Sequence, residues 1–582
     1  MLNYNGFLST VVIQFRMRLF IIFILSVITI FANTLDDISQ TQAKQEEDRL
    51  KFIESQKESS NIILTPKQNQ ISAIIPNENP CFEIDEVLLI GNESDKFKKY
   101  LRKALKEVGF KYRTCIGQES INIIYNAFYN EILKAGFITT YVNLPSQNLK
   151  SKTLKFEIMP GKIDTININD KNSTKNKISL FGAFGGDKKN KNLNLRDIEQ
   201  ALETIQNASL GKVSVEILPS KKENYSNINI SKDEKSPLSF SLSFDNLGSK
   251  ETGKYQGGLN INALNLLGFN EIFYSSFSKN IFKTDEQNIN DESRRGGSDN
   301  IYYGLSVPFD RFLLDFNEYG YNYDQAILGA FGVYKYSGKS KRRNLTLNYL
   351  YYRDQISKNS LFFRLWEKEN KNYIEDYELD NQRRKTAGYE AGLNSQFFIE
   401  NGFLSLGLSY KKATGARWSL QAPEEEYNEG TNRFETISSD IHFRKSGTNI
   451  PLTYDLNIHS MWNKTPLTLQ ERLNIGGYYS VRGFDGKMSL VGDRGYYIRN
   501  TLEYGIFNNH FIYAAFDFGK VGGKSSNYMT DNTLIGSGIG LKGNFNKYGS
   551  LSYDALLGFP IKKPEFYESN DAVLNFSINY NF

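Results

Sequence analysis

From Pro237 to Phe582 the chain alternates apolar and polar residues with a period of two, and no amphipathic helical pattern interrupts it. Leu238-Ser239-Phe240-Ser241-Leu242-Ser243-Phe244 opens the series, and Leu574-Asn575-Phe576-Ser577-Ile578-Asn579-Tyr580-Asn581-Phe582 ends it. In an extended strand that period sends all apolar side chains to one face. Such segments lie near residues 238, 254, 270, 300, 311, 342, 358, 386, 402, 434, 451, 494, 510, 534, 549 and 573. That is about sixteen strands at roughly 21 residues per strand and connection, the spacing of a transmembrane antiparallel β-barrel with short turns and longer outer loops. The region is rich in aromatics and glycine, with 36 Tyr, 41 Phe and 45 Gly in the whole chain. Yet the mean hydropathy is polar, at −0.47. Strands that show lipid on one face and water on the other reconcile the two. A soluble β-sandwich competes, but it needs a second apolar face that these segments lack. The last strand, alternately aromatic and aliphatic and ending on Phe582, is expected to be the signal for insertion into the outer membrane.

At 582 residues the chain is too long for one ordinary domain. Leu19 to Ala32 is continuously apolar and follows Arg16, Met17 and Arg18. It is too short to span a bilayer as a helix and right for the core of a secretory signal over 1–32, with Met17 as an alternative start. A membrane anchor is the competing reading. Residues 33–79 are first polar and then rich in Pro and Asn, and read as a solvated helix or arm followed by a linker. Two α+β units follow. In the first, 80–160, a strand over 82–91 precedes helical patterns over 96–108 and 118–135 and strands over 138–144 and 153–158. The second, 161–235, starts on Gly161-Lys162-Ile163, carries a helix over 195–208 and closes on a strand over 212–218. Cys81 and Cys115, the only two cysteines, fall in the first unit. In an exported protein they are expected to pair as a disulfide.

The barrel region holds one glycine-dense loop, Gly476-Gly477-Tyr478-Tyr479-Ser480-Val481-Arg482-Gly483-Phe484-Asp485-Gly486. A guanidinium is always charged, so inside a folded body Arg482 needs a carboxylate. Asp517 is the candidate, because it interrupts the apolar run Ala515-Phe516-Asp517-Phe518-Gly519 and is costly there unless it faces water or a cation. A solvated hairpin tip is the alternative.

Val481-Arg482-Gly483-Phe484 resembles the signature at the tip of the inward-folded loop shared by two-partner secretion transporters and outer-membrane assembly insertases. The run from Gly136 through Pro145 and Gln147 to Leu149, followed by Glu157-Ile158-Met159-Pro160-Gly161, is similar to the first polypeptide-transport-associated (POTRA) domain of the transporters, the haemolysin secretion/activation family. The Cys81 and Cys115 pair flanks the first helix of that domain in the same way. The resemblance implies a plug helix and linker over 33–79, POTRA domains over 80–160 and 161–235, and a barrel over 236–582 with an inward loop over 466–493. It implies a loop–wall pair of Arg482 and Asp517, supported by Val481, Gly483 and Phe484 of the loop and Gly519 of the wall. Ala515 departs from the family, whose wall motif opens with Phe or Gly. The implied function is export of a large partner exoprotein of haemolysin or adhesin type in unfolded form, recognised through the POTRA domains, with activation of the cargo in some members. The implied partners are that exoprotein, outer-membrane lipid and the barrel assembly machinery.

The chemistry of the chain points the same way. There is no phosphate-binding loop or paired set of metal ligands, and three scattered histidines, His442, His459 and His510, build no catalytic triplet. No catalytic, cofactor or metal role is therefore expected. A net charge of +5 at this size gives no reason to expect nucleic acid as a partner. An assembly insertase is the runner-up, although it normally carries more POTRA units than fit before Pro237. A passive porin would need neither the loop nor the periplasmic units.

Overall fold

The computed structural model describes Arg49, residues 61–66 and residues 74–582, except 170–172, 234, 283, 285–286, 290–291, 330–331 and 548. The expected signal (1–32) lies outside the described residues, as does all of the expected plug and linker (33–79) except Arg49, 61–66 and 74–79.

The first α+β unit contains strands β1 (Phe82–Ile84) and β2 (Glu86–Gly91), helix α1 (Ser94–Glu107), β3 (Thr114–Ile116), α2 (Gln118–Lys134), β4 (Tyr141–Asn143) and β5 (Thr153–Met159). The run expected as one strand over 82–91 is two. Its first half pairs antiparallel with β3, while β2 leaves at Asp85 to run parallel to β5. The main sheet has the order β2-β5-β4, and Leu89, Leu154, Phe156 and Ile158 bury against Phe97, Leu101, Ile124 and Phe128 of the two helices. Cys81 and Cys115 are joined in a disulfide, with Cα atoms 5.4 Å apart. The polar stretch before this unit has a structural task. Glu78 accepts hydrogen bonds from the backbone N–H groups of Gly117, Glu119 and Ser120, satisfying amides that the start of α2 leaves open.

The second unit contains β6 (Lys162–Ile168), α3 (Thr174–Phe184), α4 (Leu195–Asn207), β7 (Val213–Pro219) and β8 (Tyr225–Lys232), with sheet order β6-β8-β7. Sequence reasoning found α4 and β7 but missed α3 and β8. Helix α3 has no clean apolar stripe, and β8 alternates Asn and Ser with Ile, so its central place in the sheet is set by pairing on both sides.

Sixteen long antiparallel strands close the barrel. In order they are β9 (Leu238–Asp245), β10 (Gln256–Leu264), β11 (Ile272–Asn280), β12 (Gly297–Phe309), β13 (Phe312–Leu328) and β14 (Val333–Arg353). Then come β15 (Ser357–Ile374), β16 (Arg384–Ile399), β17 (Gly402–Thr414), β18 (Glu435–Ser446) and β19 (Leu452–Asn463). The last five are β20 (Arg494–Phe507), β21 (His510–Gly522), β22 (Thr533–Phe545), β23 (Ser550–Lys562) and β24 (Val573–Asn581). Each falls at a position read from the period-two pattern. Alternation is visible on β12, where Ile301, Leu305 and Phe309 are exposed outward and Tyr302 and Ser306 are buried inward. Among the described residues no helix is long and apolar enough to cross a membrane. The aromatics do not all face outward: Tyr274, Tyr302, Tyr319, Tyr321, Tyr323 and Tyr336 cluster inside. Hydroxyls of this cluster find polar partners there, as Tyr319 with Asn300 at 2.8 Å and Tyr336 with Gln382 at 2.8 Å.

Closure depends on a short seam. Strand β24 pairs with β9 over five residues, from Ser577 opposite Asp245 to Asn581 opposite Ser241. Above it the Asn246 side chain continues the ladder, donating to the Leu574 carbonyl and accepting from the Phe576 N–H, each at 2.8 Å. Phe582 donates its N–H to the Phe240 carbonyl at 3.1 Å, and its ring stacks on Phe240 at 6.0 Å. Deleting Tyr580–Phe582 removes two of the five seam pairs and this stack. The deletion is expected to abolish the heat-modifiable band of the folded barrel in gel electrophoresis; a normal amount of that band would contradict the seam's importance.

Candidate functional site

The loop between β19 and β20, residues 464–493, folds back into the barrel. Two short strands, Leu473–Ile475 and Leu490–Gly492, pair at its neck, and the tip between them carries Val481-Arg482-Gly483-Phe484. Strands β20 and β21 supply the wall, with Arg499 opposite Asp517 and Asn500 opposite Phe516. On β21 the buried positions alternate as Tyr513, Ala515, Asp517 and Gly519, so Asp517 points inward.

The structure brings Arg482 and Asp517 together. Arg482 Nε donates to Asp517 Oδ2 at 2.7 Å and Nη2 to Oδ1 at 2.8 Å, a two-pronged pair, and the Arg482 backbone N–H reaches Oδ2 at 2.9 Å. The Asn500 N–H adds a fourth donor to the carboxylate at 3.2 Å. Arg482 Nη2 also donates to the Asn500 carbonyl at 2.9 Å and Thr501 Oγ1 at 3.0 Å. Arg482 is 5% exposed and Asp517 0%, so both charges are withdrawn from solvent and satisfied by each other and by the wall. Asn500 and Thr501 were not found from sequence. A polar dipeptide on a half-polar strand carries no signal of its own.

An apolar shell surrounds the pair. Val481 and Phe484 are buried with Leu473, Ile475, Leu490, Val521 and Leu534. Phe484 meets Tyr567 of the last outer loop edge-on at 5.4 Å, and the Tyr567 hydroxyl bonds the Met488 carbonyl. Ala515, the departure from the family pattern, is buried with Tyr513 and Leu556, and Tyr478 of the loop packs on that group. Close approach of the loop explains the glycines on both sides. Gly483 has φ +104°, and its backbone lies so near Gly558 of β23 that a Cβ on Gly558 would come within 2.8 Å of the Gly483 Cα. A Cβ on Gly519 would come within 2.7 Å of Val481 Cγ2 and 3.0 Å of Ile475 Cδ1.

Beside the tip, a cavity of about 590 Å³ is lined by Tyr478, Asp485, Asn246, Thr252 and Arg49. Arg49, the one described residue of the expected plug helix, is helical and buried, and pairs with Asp245 on β9 at 3.1 Å.

A second charge cluster, invisible in the sequence, joins the second α+β unit to the periplasmic mouth of the barrel. Arg353 Nε donates to Glu199 at 3.1 Å, and its two Nη atoms donate to the two oxygens of Glu203 at 2.8 Å each. Lys358 adds a bond to Glu203 at 2.7 Å. The same carboxylates grip residues 61–66, for the Leu64 N–H donates to Glu199 at 2.7 Å and the Ile62 N–H to Glu203 at 2.8 Å. Burial alone would raise Glu203; Arg353 and Lys358 outweigh it and hold the carboxyl below its ordinary value. At Glu199 burial prevails and the carboxyl is pushed up.

Residues 224–543 match the family model of haemolysin secretion/activation proteins, ShlB/FhaC/HecB. Residues 82–161 match the ShlB-type POTRA domain, and 162–219 match a further POTRA model. The chain is 28% identical over 525 residues to the outer membrane transporter CdiB-2 of Burkholderia pseudomallei (strain 1026b), covering 88% of each chain. It is 24% identical to the outer membrane transporter CdiB of Dickeya dadantii (strain 3937), covering 94% of each. The solved structure of CdiB from Acinetobacter baumannii superposes with a TM-score of 0.80 at 26% identity, over 94% of this chain and 99% of that one.

Replacing Gly519 by Val places a branched side chain where Val481 and Ile475 lie, an overpacking cost on the order of 1–3 kcal/mol. The loop is expected to leave the wall, raising single-channel conductance in planar bilayers and exposing residues 464–493 to protease. Unchanged conductance and protection would contradict the close packing described.

Proposed function

Because this chain belongs to the haemolysin secretion/activation family ShlB/FhaC/HecB, whose members are two-partner secretion transporters of the outer membrane with POTRA domains in the periplasm, we propose that it recognises one large partner exoprotein by adding strands of the unfolded cargo to POTRA sheet edges. The observation that carries this reading is the open edge of the first POTRA sheet. Strand β2 is terminal in the order β2-β5-β4, and its outward residues Leu88 and Ile90 are exposed and apolar. An edge of that kind offers main-chain hydrogen bonds to any extended segment and apolar sites to alternate side chains.

The rest follows from the site. The Arg482–Asp517 pair holds the loop against the wall and sets the shape of the lumen through which the cargo passes. Among the described residues of the stretch read as plug and linker, Arg49 is tied to Asp245, residues 61–66 to Glu199 and Glu203, and Glu78 to the start of α2. Cargo folding outside the cell supplies direction, and no catalytic step enters the reading. The final strand ending on Phe582 addresses the chain to the barrel assembly machinery, and the outward apolar face of the strands meets outer-membrane lipid. The insertase alternative gives way to the family membership.

The test places a photoreactive amino acid at Leu88 or Ile90, and as control at Arg102 on α1, in cells that export the partner. Cross-links to cargo at the two β2 positions and none at the control are expected. Export that proceeds with no cross-link at either β2 position would overturn strand addition at this edge.

A further inference from the structure

The periplasmic turn between β10 and β11 reads Asn265-Leu266-Leu267-Gly268-Phe269-Asn270-Glu271. Turns bathed in water are ordinarily polar, whereas this one presents Leu266, Leu267 and Phe269 outward, with Leu267 70% exposed. Four of its backbone N–H groups are satisfied from within. Glu271 accepts from the Leu267 N–H at 2.6 Å and the Phe269 N–H at 3.0 Å, and the Asn265 side chain accepts from the Asn270 N–H at 2.9 Å. The Asn265 N–H donates to the Glu271 carbonyl at 2.7 Å. Apolar side chains outside, with four amides turned inward onto Glu271 and Asn265, suit the boundary of a hydrocarbon layer, where unpaired backbone groups are costly.

Helix α3 of the second POTRA domain is fixed to the same place. Asn270 Nδ2 donates to the Ser179 carbonyl at 2.7 Å, and a Cβ on Gly182 would come within 2.7 Å of the Phe269 carbonyl oxygen. On the adjoining turn the Asp310 N–H donates to the Gly182 carbonyl at 2.9 Å. So held, Phe181 remains 49% exposed, and its ring lies 5.2 Å from that of Phe309. Phe309 is the lowest outward residue of β12, in the same row as Ile301 and Leu305 and next to exposed Phe312 of β13. The apolar outer face of the barrel thus reaches Phe181 through Phe309, and Leu267 and Phe269 lie exposed on the turn to which α3 is fixed. Lys175, on the first turn of α3, lies against Gly268, where a long cationic side chain can keep its stem on apolar surface and its head among phosphates.

We propose that helix α3 and the 265–271 turn form a lipid-contacting foot, which sets the second POTRA domain into the periplasmic leaflet with Phe181, Leu267 and Phe269 among acyl chains and Lys175 at the phosphates. The foot rests on the barrel's place in the outer membrane and is independent of how cargo is recognised. It fixes the domain that carries Glu199 and Glu203 from a second side, so the mouth is held by an ion cluster on one flank and by lipid on the other.

The test uses the full-length protein in vesicles of phosphatidylethanolamine and phosphatidylglycerol that contain a phospholipid with a diazirine in its acyl chain. After irradiation, peptides holding Phe181 and Leu267 are expected to carry lipid at a level like that of the β14 peptide holding Leu345, and on the order of tenfold above the α1 peptide of the first POTRA domain. Labelling at Leu345 with only α1-level labelling at Phe181 and Leu267 would overturn the foot and leave the barrel reading intact. Absence of label at Leu345 too would overturn both. In a second measurement, Phe181→Asp is expected to remove label from the turn peptide while Leu345 keeps it; full labelling of the turn in this variant would also contradict the proposal.

Discussion

A guanidinium inside a barrel cannot shed its charge, and most of the arrangement around Arg482 follows from that. Asp517 meets it with two parallel hydrogen bonds and takes the backbone N–H of the same residue, so one carboxylate fixes both the side chain and the path of the loop. Thr501 and the Asn500 carbonyl use a further guanidinium N–H. Removing Asp517 leaves the guanidinium buried and unmatched, a cost on the order of 3–5 kcal/mol, whereas removing Arg482 leaves Asp517 only its cross-strand neighbour Arg499. The apolar shell of Val481, Phe484, Leu473 and Ile475 adds packing but no direction. The ion pair decides where on the wall that packing occurs.

For the pair to form, the loop backbone must come very close to the strands behind it, and the wall answers with glycine. Gly519 and Gly558 leave the depth that Val481 and the Gly483 backbone occupy. Two neighbouring inward positions on β21 therefore have coupled tasks: Asp517 supplies the charge and Gly519 the space. The mouth of the barrel repeats the principle with opposite polarity, since there the wall supplies Arg353 and the POTRA helix supplies Glu199 and Glu203. In both places a buried ion pair ties a separate piece of chain to the barrel, and backbone groups complete the coordination.

What the sequence made legible follows the same physics. Period-two alternation is enforced residue by residue in a wall with lipid on one side and water on the other, so all sixteen strands could be placed. The Arg482–Asp517 pairing was legible because each charge is anomalous in its own surroundings, a lone cation among glycines and a lone anion in an apolar run. Arg353 has no such local anomaly. It ends a strand beside Asp354, and its partners lie about 150 residues away on a helix whose Glu199 and Glu203 look like an ordinary solvated face. The break of 82–91 at Asp85 and the central place of β8 were hidden for a related reason: both are set by which strand pairs alongside. Helix α3 has Lys175, Lys177 and Phe181 exposed together, a pattern that makes sense only once the barrel turn beneath it is known.

The central claim is that Arg482 and Asp517 act mainly on each other, and a double-mutant cycle measures it directly. Cargo export and pore conductance would be compared for Arg482→Ala, Asp517→Ala and the double variant, each checked for a folded barrel. Both single changes are expected to impair export with the barrel intact, and the double variant to be no worse than the more impaired single one, because neither member of the pair is left without the other. Defects that add in the double variant would contradict the claim and show that the two residues work independently.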